Sequence, residues 1–205
     1  MKEWGDAPWV ALLLLVAGVT HRAWFHFGSI LSYADLWFQY PETLKDLFLS
    51  NTWIGSSGFG MPNIQTYKMP FWAVQSLLAN LGLNFTDIFR ITHLIFIAIL
   101  GFLSPYILVR HLTKERSIAF VAALFYGSTT PFLIRQYSGH LSIAFLEAIT
   151  PLILYFFLLA MEKNTRRQWS IFILWFWIGS IYELRMLYAV VIILAIYFLF
   201  GLAIT

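Results

Sequence analysis

Asp35 lies in the stretch SYADLWFQYPE (32–42), hemmed in by Tyr33, Leu36, Trp37, Phe38 and Tyr40. A carboxylate set against apolar surface holds a proton more tightly than one in water, and can take one from a hydroxyl as a general base. Trp37 and Tyr40 offer faces on which a sugar ring can stack. The plainer reading is a helix cap or a solvated acid at a membrane interface, because Trp and Tyr also make up the aromatic belts of such interfaces. A second constellation is RQYSGH, in which Arg135 and His140 flank one short loop. Two donors aimed at one place suit an anion such as a lipid phosphate. The competing reading is an Arg135 that snorkels to the interface.

Glu147 follows His140 by seven residues, so the two share a helical face about two turns apart. A carboxylate inside an apolar run is costly and points to function or to a buried partner. Arg185 and Glu183 form a third polar feature, close enough in sequence to neutralise one another. Other chemistries lack their residues. GSSGFG (55–60) is not followed by the Lys-Ser/Thr of a phosphate-binding loop, and no HExxH occurs. With no adjacent pair of acids and no cysteine, neither a strong divalent-metal site nor a thiolate site is expected, and no cofactor is implied.

The elements that must carry these residues are apolar. The chain has 205 residues, 60% hydrophobic and 11% charged, whereas soluble domains carry about 25% charged residues. The small net charge of +3 reads as membrane topology and not as nucleic-acid binding. Apolar runs predict an all-α polytopic membrane protein forming a single transmembrane domain. Its spans are expected at roughly 7–26, 88–109, 117–134, 141–161, 169–182 and 186–205, about six crossings in all. The first is read as an uncleaved span and not a signal peptide, because Glu3 and Asp6 spoil a positive start and no small-x-small site follows. Arg110, Lys114 and Arg116 share one short loop, and Lys163, Arg166 and Arg167 another, which places both on the cytoplasmic side. Residues 27–86 then form a long outer loop. In it, Pro41 and Pro70 each open a short amphipathic helix suited to the membrane surface.

The order of these features resembles the amino-terminal part of the GT-C superfamily of polytopic membrane glycosyltransferases, nearest to the YfhO-like membrane proteins and the arabinofuranosyltransferases. The likeness is carried by SYADLWFQYPE, GFGMPN, the Pro-led helix, AALFYGSTTPFLIRQYSGHLS and LEAITPLILYFFL. It implies transfer of a sugar from a polyprenyl-phosphate donor to a glycan or lipid acceptor, on the outer face of a bacterial or archaeal plasma membrane. It implies Asp35 as catalytic base and places donor contacts around Arg135 and His140. Substrate contacts are extended to Glu147, Arg185, Trp37 and Tyr40. Asp35 has no second acid beside it, as many members of the superfamily do. They also carry more spans, so a missing C-terminal portion or a partner membrane chain is expected. Two other classes stay open: a transporter or lipid flippase, in which Glu147 with Pro151 serves as an ion relay, and a non-catalytic assembly subunit.

Overall fold

The computed structural model describes residues 5–26, 44–45, 53–54, 61–62 and 66–204. Asp35, Trp37 and Tyr40 lie outside the described residues, as does most of the helix expected from Pro41, of which only Leu44 and Lys45 are described, both helical. The described residues are almost wholly helical. Their one strand pairing is a two-residue antiparallel ladder, Trp53 opposite Pro62 and Ile54 opposite Met61.

Helix α1, Ala7–Thr20, opens with a proline in its first turn, where a missing N–H breaks no bond. Its 14 residues rise about 21 Å, and a 3-10 turn over Arg22–Phe25 adds about 8 Å. Helix α2, Met69–Asn80, is the Pro-led helix expected from Pro70. Helix α3, Phe85–Thr113, is capped by Asn84, whose side chain accepts from the Asp87 N–H at 2.9 Å. It contains a π turn at Arg90–Leu94 and ends on Lys114 in the left-handed conformation, φ 60°.

The single span expected at 117–134 is broken. Helix α4, Arg116–Gly127, and helix α5, Thr130–Tyr137, meet at 42°. The cause is local: Pro131 has no N–H for the carbonyl of Gly127 and its ring collides there, and the chain turns through an extended Thr129 before the helix restarts. Gly127 is needed for packing as well, since a Cβ there would come within 2.5 Å of the Phe102 ring. Helix α6, Leu141–Lys163, is 23 residues long.

Helix α7 runs from Arg166 to Ile204, and only Glu183 departs from helical backbone, with φ −153° and ψ 83°. Ring positions show that the chain folds back there. The Phe157 ring of α6 lies 5.5 Å from Phe172 and 5.9 Å from Tyr197. In a straight helix, residues so far apart in sequence would stand about 37 Å from each other. α7 is therefore a hairpin of two limbs, and the expected ELR break narrows to a single residue. Near the corner, Leu187 packs back toward Gly179, with Leu146 and Ile153 of α6 against the same glycine.

By length and composition alone three helices could cross a membrane, Phe85–Thr113, Leu141–Lys163 and Arg166–Leu199, the last of which turns back at Glu183, and the bent α4–α5 pair makes a fourth if it counts as one. This is the composition of a membrane protein. Helix α2 packs with its polarity reversed relative to a water-facing helix. Gln75, Ser76 and Ala79 are buried, while Leu77 and Leu81 are 61% and 68% exposed.

The bundle has two chemically distinct ends. At one, Asp6 meets Arg110 at 3.1 Å and Arg116 at 3.2 Å, and His111 meets Glu162 at 2.9 Å. At the other, His21 bonds Gln136 at 3.0 Å, and the Tyr182 hydroxyl donates to the Thr92 carbonyl at 2.7 Å. The two basic loops thus share one end. Single cysteines at Thr113 and Thr165 should be shielded from an impermeant thiol reagent in intact cells, and one at Tyr137 should react. The chain has no cysteine of its own, so the signal is unambiguous, and the reverse pattern would invert the orientation.

Candidate functional site

The end opposite the basic loops holds a cavity of about 450 Å³. Its walls are Phe71 and Val74 of α2, Phe96 of α3, Phe145 of α6, and Trp175 and Ile181 of the first limb of α7. The lining is almost entirely apolar. Aromatic packing fixes its inner wall. Phe145 and Tyr182 stack at 3.7 Å, and His93 is buried among Phe89, Phe71 and Tyr182 at 4.8, 4.9 and 5.3 Å. The π turn that carries Thr92 and His93 turns both residues toward this cluster.

Charged groups follow directly on the lining in sequence. Lys68 precedes Pro70 by two residues, and Glu183 succeeds Tyr182. Burial pulls the Lys68 ammonium below its ordinary range, with Glu183 opposing and Arg185 adding to the shift. Glu183 accepts both bonds of a fork from Arg185, at 2.8 and 3.3 Å, and this contact keeps the guanidinium firmly charged. The two members differ in placement: Glu183 is buried at the corner, whereas the Arg185 side chain is 79% exposed. Among the described residues Lys68 has no carboxylate at ion-pair distance.

Arg135 and Glu147 are brought together as an ion pair between α5 and α6. Pro151 explains the rest of the arrangement. Lacking an N–H, it frees the carbonyl of Glu147, and the Tyr126 hydroxyl of α4 donates to that carbonyl at 2.8 Å. Glu147 therefore ties both halves of the bent pair to α6, one through its backbone and one through its side chain. His140 stands at the N-cap of α6, its N–H donating to the Arg135 carbonyl at 3.0 Å. This group does not face the cavity. Glu147 and Phe145 are two residues apart, about 200° around the helix. The substrate-contact residues expected from sequence thus divide between two sides of α6: Arg135, His140 and Glu147 on one, Arg185 on the other.

Sequence reasoning passed over Arg90. Its side chain is 4% exposed at the start of the π turn. It pairs with Asp87 at 2.8 Å and donates to the carbonyls of Trp24 and His26, each at 2.8 Å. Arg90 thereby anchors the point at which the chain leaves α1 for the outer segment. The signal was a cation two residues inside the apolar run 88–109. Among the described residues no three His, Asp or Glu converge as metal ligands would. Compared with protein-family models, with curated proteins and with solved structures, the chain matches none of them.

Proposed function

We propose that the chain is the membrane-embedded part of a GT-C-like glycosyltransferase acting on the outer face of a cell membrane. In this reading it crosses the bilayer about six times: α1 with its 3-10 extension, α3, the bent α4–α5 pair, α6 and the two limbs of α7. The observation that carries the reading is the apolar cavity at the end away from the basic loops, with Lys68 two residues before its lining residue Pro70. A polyprenyl chain suits its walls, and a phosphate suits Lys68, whereas the charge of Arg185 is committed to Glu183. The charge of Arg135 is committed to Glu147, which leaves that pair a structural role. Asp35 deprotonates the acceptor hydroxyl, whose oxygen attacks the anomeric carbon. The bond from that carbon to the phosphate oxygen breaks, and polyprenyl phosphate departs as the anion.

Binding of a polyprenyl phosphate to the purified chain tests this directly. Lys68→Gln removes a charge-assisted contact and should weaken binding by roughly ten- to a hundred-fold. Val74→Trp, which fills the cavity from a lipid-facing position, should do so without touching any charge. Unchanged dissociation constants in both variants would refute the assignment.

A further inference from the structure

We propose that a second cavity, at the end carrying the basic loops, binds the phosphate head group of an anionic phospholipid. It lies between α1, α3 and α6 and has a volume of about 540 Å³. On α3 its wall is one helical stripe: Leu103, then Tyr106 and Ile107, then Arg110, then Lys114. The stripe runs from apolar to cationic toward the end of the bundle. Helix α1 repeats the gradient, with Val10 deeper and Asp6 at the rim. Two neighbouring helices that change character in the same direction match a molecule with a tail and a charged head.

The rim carries unbalanced positive charge. Asp6 takes a hydrogen bond from the Tyr106 hydroxyl at 2.9 Å and lies 3.1 Å from Arg110 Nε and 3.2 Å from Arg116 Nε. The Tyr106 bond and the two guanidinium groups hold the Asp6 carboxyl below its ordinary range, so it stays ionised. A second carboxylate at this end, Glu162, is held by His111 of the same lining at 2.9 Å, so Asp6 alone faces Arg110 and Arg116, with Lys114 beside them. The buried Arg116 Nε has no hydrogen-bond partner despite its distance to Asp6, and the Lys114 ammonium has no ion-pair partner among the described residues. Basic pockets between membrane helices at this level are sites for acidic head groups. A free phosphate would use the rim alone. The apolar depth formed by Val10, Leu103 and Ile107 has a use only if the phosphate carries acyl chains.

The full chain, exchanged into nanodiscs of equimolar phosphatidylglycerol and phosphatidylcholine, tests the proposal by native mass spectrometry of retained lipid. Phosphatidylglycerol should be enriched over phosphatidylcholine by about ten-fold, and Lys114→Asn should bring the ratio near parity. Asparagine accepts the left-handed backbone at this position, so the helix end is kept. Leu103→Trp occupies the apolar depth and should reduce phosphatidylglycerol retention with every charge in place. Added inorganic phosphate should leave the lipid bound. Equal retention of the two lipids by the unaltered chain would overturn the proposal. Displacement by inorganic phosphate would overturn it in favour of a soluble anion. Neither readout involves sugar transfer, so the result is independent of the glycosyltransferase reading.

Discussion

Asp35→Asn should slow transfer of labelled sugar by ~10²–10⁴-fold while leaving donor binding near that of the unaltered protein. The amide keeps the shape of the carboxylate and an oxygen able to cap a helix, but it cannot accept the acceptor's proton. A structural role for Asp35 therefore survives the change, and a catalytic one does not. The residue follows His26 closely, and the His26 carbonyl is fixed by Arg90 at 2.8 Å. The experiment uses the purified chain together with any partner chain required for transfer, and the melting temperature reports the fold. Near-normal transfer would return SYADLWFQYPE to its plainer reading, a capped helix among interfacial aromatics.

Arg90→Ala should cost about 3–5 kcal/mol of stability, because it strands groups that the arginine satisfies. The Asp87 carboxylate loses its partner, and two carbonyls at the exit of α1 lose their donor. A fall in melting temperature on the order of 10 °C is expected for a chain of this size. Arg90→Lys should recover only part of the loss, since an ammonium cannot reproduce the planar fork that reaches both carbonyls and the carboxylate. Asp87→Asn should be milder, because the Asp87 side chain is 34% exposed and water can replace it. A melting temperature unchanged by Arg90→Ala would show that the segment leaving α1 is held by other contacts.

Much of the helical framework could be read directly, because apolar runs and prolines act through the chain's nearest neighbours. The Pro70 helix and the long runs of α3 and α6 formed within a few residues of the expected bounds. The same local chemistry, applied to Pro131, would have foretold the bend between α4 and α5. The orientation of α2 was legible only in part: an amphipathic pattern identifies the apolar face but not the solvent it meets. Partner choice was not legible. Arg135 pairs with Glu147 across two helices, and Tyr126 reaches a carbonyl that is free only because of a proline one turn further on. Such contacts depend on how helices dock. The apolar cavity was hidden for the same reason, since Phe71, Phe96, Phe145 and Trp175 come from four separate helices.

The corner at Glu183 also constrains how the chain enters a bilayer. The apolar stretch before it, residues 169–182, rises only about 21 Å, short of a hydrocarbon layer of about 30 Å. Alone it is a poor candidate for partitioning, and the corner leaves no loop to pause in water between the limbs. Were the chain to cross six times, the two limbs would enter together, as a helical hairpin. The corner would then be the part that passes through the hydrocarbon to the far side. Glu183 would make that passage with Arg185 clasped to both carboxylate oxygens. Passage of the corner in that arrangement would carry a neutral pair and not a bare anion, so a contact two residues away in the same chain would lower the electrostatic barrier to membrane assembly.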